Sequence, residues 1–428
     1  MRHKVAAILS AASRGYKRLI GGDDAVGDCE PPASDASPSG DPQTGTTASR
    51  LRVLAVVSRF KWSHIDYLAA LAERVDLMVA WAGEGHAGAV DRAIREGLRA
   101  TPLGRIEDPG LDEVRQRLRE VLDAWNPSVV HLMYYYHEGL TTLVRELVGD
   151  RAVVVFECRD PLTTLRTASP ESELWRLENA ALRASDGQIF VSRALRTYLE
   201  QSHGLELGPT SIIIPHAFAQ RNVGPPVTKL SASDGRVHIA IVGTADPFPD
   251  HGRYYGDIIR RLVALGLVVH THFHDLEGVS QEPYRELAAE LEDYHDHPAV
   301  PFRQGTGLSD TISRYDLMGV FHELEARWHN ESATLAVCMP TKAVCGWVHG
   351  GIPVVCFPHY RGLVEQIEDL GIGFIIDRWE ELVGIAADRD RIARVTAVCL
   401  AERHRFTHEW NAAHIQTFFA HLLGRASP

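Results

Sequence analysis

The sequence predicts an α/β protein with two Rossmann-like domains, each built on a doubly wound parallel sheet, that face a central cleft. Three observations indicate this fold. Short apolar runs rich in β-branched residues alternate with segments of helical spacing, which is the pattern of βαβ units. The alternation breaks once, at residues 225–234, where Pro and Ser residues indicate a hinge, and then resumes. Because each open sheet presents the carboxyl ends of its strands to the cleft, we expect the ligand there.

The composition fits a two-domain globular protein and excludes several functions. The chain has 428 residues, of which 45% are hydrophobic and 23% charged, so it can bury a large core. The formal net charge of −12 argues against nucleic acid as a partner. No apolar run approaches the roughly 20 residues of a membrane-spanning helix. The six cysteines have neither CxxC pairs nor zinc-site spacing. We therefore expect a cytoplasmic protein with reduced, buried thiols.

Residues 1–50 differ from the rest of the chain. Residues 1–20 carry five basic and no acidic side chains, and residues 21–50 contain no Ile, Leu or Phe. We interpret the second stretch as a disordered linker, because its composition offers little to bury. The first stretch has two readings. One is a frayed basic extension, and the other is a weak peripheral contact with an anionic membrane surface, at the inner membrane face.

Residues 51–232 are predicted to form the first domain. Its first strand, 51–57, is apolar from Val53 onward and rich in β-branched residues, as expected for a strand covered on both faces of a parallel sheet. The helices carry apolar residues at three- and four-residue spacing, as Val114, Leu118 and Val121 do. The elements that follow the first strand are predicted to be, in order, helix 64–74, strand 75–80, helix 112–125, strand 128–132, helix 140–148, strand 152–156, helix 171–184, strand 187–191, helix 194–201 and strand 211–214.

Residues 233–407 are predicted to form the second domain. Its first strand, 238–243, ends in a glycine, and the final segment, 408–428, is a helix that we expect to pack back on the first domain. The elements after that strand are predicted to be helix 255–265, strand 268–273, strand 316–320, helix 342–349, strand 352–357, helix 365–370, strand 374–376 and helical structure over 388–423.

Several motifs of known chemistry are missing from the chain. The first strand runs into Ser-Arg-Phe-Lys-Trp rather than GxGxxG, and there is no GxxxxGK[ST], GxSxG or HExxH. The histidines of 270–274 and 295–297 alternate along strands and so share one face, as metal ligands could. With 22 histidines in the chain, however, we expect chance clustering and no metal site.

The most informative motif is Pro340-Thr341-Lys342 at a predicted helix start. Thr341 is a suitable helix cap, and free backbone N–H groups at a helix start suit a phosphate. Lys342 in the first turn opposes the helix dipole unless an anion binds nearby. The motif therefore predicts a bound phosphate group, with a solvated lysine as the alternative.

At this point the chain resembles the GT-B glycosyltransferases, specifically the retaining family 4. The resemblance rests on the Pro-x-Lys helix start, on Gly351-Ile-Pro-Val-Val355, and on a glutamate, Glu365, that follows Gly362. Further similar segments extend it over roughly residues 51–377. They are Asn-Pro-Ser-Val-Val-His at 126–131, the strand 153–160, Asp-Gly-Gln-Ile-Phe-Val-Ser at 186–192, Ile-Ile-Pro-His-Ala at 213–217, and the stretch 305–316.

The resemblance implies a nucleotide-sugar donor held by the second domain. Gly243 and Thr244 would form the tight turn beneath the donor phosphates. Arg253 and Lys342 would neutralise the departing diphosphate. The remaining implied donor-binding residues are Pro340, Thr341 and Glu365, the last with a surface carboxylate as its alternative.

The first domain would bind a small-molecule or lipid-linked acceptor. Asp160 occupies the family's strand-end position, and His131 or His137 could replace the family's histidine in catalysis or acceptor positioning, with a purely structural role as the alternative for His131. The expected acceptor-side residues are Arg59, Lys61, His64, His131 and Arg159. The family's two glutamates, eight residues apart, are missing, because the first falls on Val337 or Cys338 and the second on Cys345 or Gly346.

The implied activity is transfer of a hexose-like unit from a nucleotide diphosphate sugar to an acceptor hydroxyl, with retention. No cofactor and no catalytic metal are expected. Two other functions remain open. One is a non-hydrolysing nucleotide-sugar epimerase, which would need carboxylate acid–base residues. The other is a degenerate GT-B subunit that binds without catalysis, which the missing glutamates would explain.

Overall fold

A computed structural model describes residues 50–57, 62–82, 87–104, 111–133, 139–165, 172–246, 254–274, 281–299, 306–322 and 329–426. The expected basic segment and nearly all of the expected linker lie outside these ranges. Two parallel sheets organise the described chain, one of seven strands and one of six.

The first sheet has the strand order β3-β2-β1-β4-β5-β6-β7, and every strand pair is parallel. The order reverses beside β1, which makes a topological switch point at the carboxyl edge. Its strands are β1 Arg52–Val57, β2 Asp76–Ala82, β3 Arg99–Gly104, β4 Val129–Met133, β5 Val153–Cys158, β6 Gly187–Phe190 and β7 Ser211–Ile213. Its helices are Trp62–Ala72, Ala87–Arg95, Leu111–Trp125, Gly139–Val148, Leu162–Leu165, Glu173–Ala184 and Arg193–His203.

The second sheet has the order β10-β9-β8-β11-β12-β13 and is also parallel throughout. Its strands are β8 His238–Thr244, β9 Val268–His274, β10 Tyr294–His297, β11 Leu317–Val320, β12 Val354–Cys356 and β13 Gly373–Ile375. The helices of this half of the chain are Ser231–Asp234, Gly256–Ala264, Glu282–Glu290, Gly307–Ile312, His329–Val337, Thr341–Cys345 with the π-helical turn Gly346–Gly350, Arg361–Leu370, Glu381–Ala387, Arg389–Glu402 and His408–Ala426.

Strand β1 shows why an unbroken apolar run forms a central strand. Leu54 and Val56 point to one face of the sheet and belong to one buried apolar cluster. Val53, Ala55 and Val57 point to the other face and belong to a second cluster. Because both faces are covered by helices, side chains of both parities must be apolar.

The sequence pattern missed several short elements. They are the helix Ala87–Arg95, β3, the helix Glu282–Glu290, β10, and the helices Gly307–Ile312, His329–Val337 and Glu381–Ala387. Strand β10 has the sequence Tyr-His-Asp-His and forms an edge of the second sheet, so it lacks the apolar run that indicates a buried strand.

The predicted helical segment 388–423 forms two α-helices rather than one. The helix Arg389–Glu402 ends in the 3₁₀ turn Arg403–Phe406, and Thr407 is extended, with φ −105° and ψ 151°. Thr407 pairs with Phe218, and its hydroxyl accepts a hydrogen bond from the Trp410 backbone N–H over 3.3 Å. The chain therefore restarts as a new helix at His408.

The final helix, His408–Ala426, packs on the first sheet. Ile415 and Phe419 are fully buried in the same apolar cluster as Val53 of β1. At Gly187 of β6 the helix is so close that a β-carbon would stand 2.4 Å from Leu422 Cδ1. The chain thus crosses from the second domain back to the first. Among the described residues, no helix is both long and apolar enough to cross a membrane.

The two domains meet through the helices Arg193–His203 and Arg361–Leu370. The hydroxyl of Ser192 donates to the Val337 carbonyl, and the Arg193 backbone N–H donates to Glu365 Oε2 over 2.9 Å. A β-carbon on Gly362 would lie 2.5 Å from the Val337 carbonyl oxygen and 3.0 Å from Ser192 Oγ. A glycine at this position permits the close approach.

Candidate functional site

The carboxyl edge of the second sheet brings together two residues predicted from the sequence, Gly243 and Lys342. Gly243 lies near the end of β8 with φ +115°, a conformation that side chains with a β-carbon rarely adopt. A β-carbon at Gly243 would meet Lys342 Cε at 3.9 Å, in ordinary contact. The lysine side chain therefore lies beside the half-buried backbone of the strand end. Thr244 is the last residue of the same strand.

Lys342 is held by residues that the sequence analysis missed. Its Nζ donates to Tyr255 Oη over 2.7 Å and lies 3.4 Å from His322 Nε2. The hydroxyl of Tyr255 is 3.1 Å from the same His322 nitrogen. His322 Nδ1 in turn lies 3.0 Å from the hydroxyl of Tyr360. We call Lys342, Tyr255, His322 and Tyr360 the lysine network.

The start of the Lys342 helix differs in detail from the prediction. Pro340 is the residue that precedes the helix, with φ −64° and ψ 130°, and no side chain caps it. Thr341 is the first helical residue, so the prediction of Thr341 as the cap is wrong. Lys342 remains in the first turn, as predicted. Proline suits this position because its fixed φ matches the chain entering a helix.

The positions where the family's glutamates would fall belong to the protein core. Val337 and Cys345 have exposures of 1% and 0%. At Gly346 a β-carbon would stand 2.9 Å from Met318 Cβ, so the helix lies directly on β11. Burial raises the pKa of the Cys345 thiol. A carboxylate at any of these positions would be buried. None of the residues that stand there is acidic, so none replaces the missing pair of glutamates.

In the first domain, the structure builds a buried ionic cluster at the carboxyl ends of β4 and β5. Glu157 Oε1 accepts a hydrogen bond from Arg159 Nε over 2.5 Å. Glu157 Oε2 accepts from His131 Nε2 over 2.9 Å and from the Tyr67 hydroxyl at 3.5 Å. Arg159 Nη1 donates to His216 Nδ1 over 2.9 Å. His131 and Arg159 were predicted acceptor-side residues, whereas Glu157, Tyr67 and His216 were missed.

The electrostatics of this cluster keep Glu157 ionised and keep His216 and His408 neutral. Burial opposes ionisation of Glu157, but Arg159 and His131 outweigh it and lower its pKa to about 2. Burial, assisted by the Arg159 charge, lowers the pKa of His216 and of His408 to about 3. Burial and then the Glu157 charge raise the pKa of Tyr67 well above its usual value. The cluster can hold and orient groups, but it is a poor proton acceptor near pH 7.

Asp160 lies at the contact between the domains. Burial and then the Asp160 carboxylate raise the pKa of the Cys338 thiol, which places Asp160 beside Cys338 of the second domain. The Cys338 thiol donates to the Arg159 carbonyl over 3.1 Å. A glutamate at 338 would set two carboxylates against each other here, and a thiol avoids that repulsion.

Glu365 also belongs to the domain contact. The predicted helix start at Glu365 is wrong, because the helix begins at Arg361 and Glu365 is its fifth residue. Its carboxylate accepts from the Arg193 backbone N–H at the start of the helix Arg193–His203. Burial raises its pKa. Its role in donor binding stays a prediction.

The remaining predicted residues fall in two groups. His64 lies in the helix Trp62–Ala72, and its charge acts on His408, so it borders the ionic cluster. Arg59, Lys61, His137 and Arg253 lie outside the described residues.

The histidines of the second sheet bond to one another. His238 Nδ1 lies 2.8 Å from His270 Nε2, and His270 Nδ1 lies 3.0 Å from His297 Nε2. His272 contacts the Tyr315 hydroxyl at 2.8 Å. In the part of the chain that the structure describes, no three His, Cys, Asp or Glu side chains are placed to hold a metal ion.

A simple signal marks two of the missed residues. Glu157 is the next-to-last residue of β5, and His322 follows β11 by two residues. Polar residues at the carboxyl ends of parallel strands are expected to face the ligand cleft. The other missed residues carry no such signal. Tyr67 comes from a helix, His216 from a segment beyond β7, and His408 from the far end of the chain.

Comparisons with known proteins show the fold. No protein-family description matches the chain, and no curated protein is similar enough in sequence to match. The structure of Anabaena HepE in complex with UDP is similar, with a TM-score of 0.61 at 14% identity, over 87% of this chain and 100% of HepE. The structure of sucrose-phosphate synthase from Thermosynechococcus elongatus gives a TM-score of 0.56 at 13% identity, over 87% of this chain and 100% of the synthase chain.

The lipopolysaccharide outer core galactosyltransferase WaaB gives a TM-score of 0.55 at 11% identity, over 86% of this chain and 99% of WaaB. These similarities, together with the two parallel sheets, confirm the predicted GT-B arrangement of two Rossmann-like domains.

Proposed function

We propose that the protein is a glycosyltransferase that moves a sugar from a nucleotide diphosphate sugar to an acceptor hydroxyl, with retention of configuration. The observation that carries this proposal is the pairing of Lys342 with the open backbone of Gly243 at the carboxyl edge of β8. A diphosphate needs both features, because its oxygens approach backbone closely and its charge requires a cation.

The donor is assigned to the second domain. Lys342 would stabilise the negative charge that grows on the diphosphate as its bond to the anomeric carbon breaks. Support comes from the fold shared with HepE, whose structures hold UDP and UDP-glucose. The HepE structure with UDP-glucose is similar to this chain with a TM-score of 0.58 at 13% identity. Arg253, Pro340, Thr341, Thr244 and Glu365 remain the further proposed donor-side residues.

The acceptor is assigned to the first domain, beside Arg159 and Asp160. The acceptor oxygen would attack the anomeric carbon on the face from which the diphosphate leaves. A phosphate oxygen would take the hydroxyl proton while the carbon–oxygen bond to the diphosphate breaks. The ionic cluster supports this route, because Glu157 with a pKa of about 2 and His216 with a pKa of about 3 are weak bases. Positioning would then supply most of the rate. No metal and no cofactor are part of the proposal.

A specific observation favours a second candidate, a GT-B subunit that binds a nucleotide without catalysis. Val337 and Cys345 are packed in the core where the resembling family has carboxylates. Without a carboxylate on the ribose, a bound donor would be held less firmly. Nucleotide binding without turnover would identify this candidate.

The proposal is tested by product analysis. The purified full chain is first screened by thermal shift against UDP, GDP, dTDP and ADP, because a ligand at about 100 times its Kd adds about 2.7 kcal/mol of stability. The matching nucleotide sugars are then incubated with the protein and a panel of acceptor alcohols. We expect one nucleotide to stabilise the protein, and release of that nucleotide to depend on the acceptor. Conversion of a nucleotide sugar into its epimer, without an acceptor and without release of the nucleotide, would instead indicate an epimerase and would overturn the proposal.

A further inference from the structure

We propose that Tyr255 and His322 are positioning residues, which aim the ammonium group of Lys342 at the donor phosphates. This inference rests on the proposed function, because it assumes that Lys342 binds a diphosphate. It assigns a role to two side chains that the resemblance does not indicate.

The hydrogen bonds around Lys342 have a defined direction. Lys342 can only donate, so Tyr255 Oη, at 2.7 Å, accepts from its Nζ. The Tyr255 hydroxyl then has its own proton to give, and we assign it to His322 Nε2, which lies 3.1 Å away. His322 therefore carries its proton on Nδ1, where it donates to the Tyr360 hydroxyl over 3.0 Å. One tautomer of His322 satisfies all three contacts.

The two groups that contact Lys342 Nζ carry no charge of their own. Tyr255 and His322 are both uncharged in this arrangement, so they hold the ammonium group without neutralising it. A carboxylate in either place would compete with a phosphate for the lysine. Two neutral acceptors fix the position of Nζ and do not themselves neutralise its positive charge.

Tyr255 is itself held in place by several contacts. The Tyr255 backbone N–H donates to the Tyr284 hydroxyl over 3.0 Å, and that hydroxyl donates to the Asp246 carbonyl over 2.7 Å. Tyr255 is 1% exposed and packs on the ring of Phe273, 5.2 Å away. The acceptor that meets Lys342 is thus held by the core of the second domain, which is what a positioning role requires.

The test compares diphosphate with monophosphate binding by calorimetry. The probe is whichever of UDP, GDP, dTDP and ADP binds best, together with its monophosphate. Tyr255→Phe and His322→Leu are each expected to weaken the diphosphate about tenfold, while the monophosphate changes by less, because a hydrogen bond to a charged group is lost. His322→Gln keeps an acceptor near the Nε2 position and is expected to restore most of the affinity. Tyr294→Phe removes a buried hydroxyl that is hydrogen-bonded to Thr271 and is the matched control. It is expected to leave the ratio of diphosphate to monophosphate affinity unchanged.

A double-mutant cycle separates positioning from structure. In the Lys342→Met background, Tyr255→Phe is expected to have no further effect on diphosphate affinity, because the group it positions is gone. Equal losses in both backgrounds would overturn the positioning role while the proposed function stands. If Lys342→Met weakens the diphosphate but Tyr255→Phe and His322→Leu do not, the inference is wrong and Lys342 acts alone. If the unaltered protein binds none of the four diphosphates, the proposed function fails and the inference fails with it.

Discussion

The Cε of Lys342 lies 3.9 Å from the point where a β-carbon on Gly243 would stand. The two residues are 99 positions apart in the sequence and come from a strand end and a helix start. Their meeting at the edge of the second sheet creates a cation over open backbone. A small side chain at 243 would both strain the chain and occupy that space.

Gly243→Ala is expected to lower the free energy of unfolding by about 1–2 kcal/mol and to weaken diphosphate binding. The φ of +115° accounts for the strain, and the added methyl group accounts for the lost affinity. Gly266→Ala is the control, because Gly266 has φ +84° with nothing within 4 Å of an added β-carbon. Urea unfolding and calorimetry of both variants distinguish the two effects. Equal diphosphate affinity in the two variants would contradict the role of Gly243.

Glu157→Gln is expected to lower the free energy of unfolding by about 3 kcal/mol at pH 7, because it leaves Arg159 without its buried counter-charge. Glu146→Gln breaks an exposed ion pair with Arg115 and is expected to cost less than about 1 kcal/mol. Burial resists the charge on Glu157, yet Arg159 and His131 lower its pKa to about 2. Its contribution is therefore complete above about pH 4.5 and is lost as the pH falls toward 2. A Glu157→Gln deficit that stays constant down to pH 3 would argue against the ion pair.

Stability is expected to fall as the pH drops from about 6.5 to 4, because buried histidines must stay neutral in the folded protein. Burial lowers the pKa of His272 to about 4 and that of His270 to about 2. Below pH 6.5 the unfolded chain binds protons that the folded chain cannot, so each such histidine removes about 1.4 kcal/mol per pH unit.

His272→Gln is expected to reduce this slope by about one proton, and His421→Gln, at an exposed position of the last helix, to leave it unchanged. Urea unfolding at pH 7.5, 6.5 and 5.5 measures the slopes. The same slope in wild type and His272→Gln would show that this histidine is not a source of the acid sensitivity.

Gly362→Ala is expected to loosen the contact between the domains. The added β-carbon would stand 2.5 Å from the Val337 carbonyl oxygen and 2.8 Å from that of Cys338, and neither backbone atom can yield without moving the helix. Small-angle scattering should show a larger radius of gyration. Gly384→Ala, in the open interior of the helix Glu381–Ala387, is expected to stabilise the protein by about 0.5–1 kcal/mol without that expansion. An unchanged radius in Gly362→Ala would contradict the close approach.

The fold was largely predictable because its strands are buried on both faces. In β1, for example, the five consecutive residues Val53 to Val57 are all apolar, and such a run clearly indicates a buried strand. The pattern failed at β10, whose Tyr-His-Asp-His sequence suits an edge strand, and at Thr407, where tertiary pairing with Phe218 interrupts an otherwise helical sequence. Both failures arise from contacts that local periodicity does not encode.

The candidate site was predictable only in part. Lys342 was found because a cation at a helix start conflicts with the helix dipole, which is a local property. Tyr255 and His322, which hold it, come from two other loops at the sheet edge. In the first domain, Glu157 and His131 are 26 residues apart, and His408 joins their surroundings from the last helix. Such clusters depend on the register of neighbouring strands, and a single sequence does not give that register.

The most direct test of the proposed donor site is calorimetric titration of the full chain with UDP, GDP, dTDP and ADP, for the wild type and for Lys342→Ala. We expect the wild type to bind one of the four, and Lys342→Ala to raise its Kd by at least about tenfold, because a charge-assisted contact to phosphate is lost. Arg95→Ala, which removes an exposed charge from the first domain, should leave the Kd unchanged. Equal affinity in the wild type and Lys342→Ala, or no binding of any diphosphate by the wild type, would contradict the account.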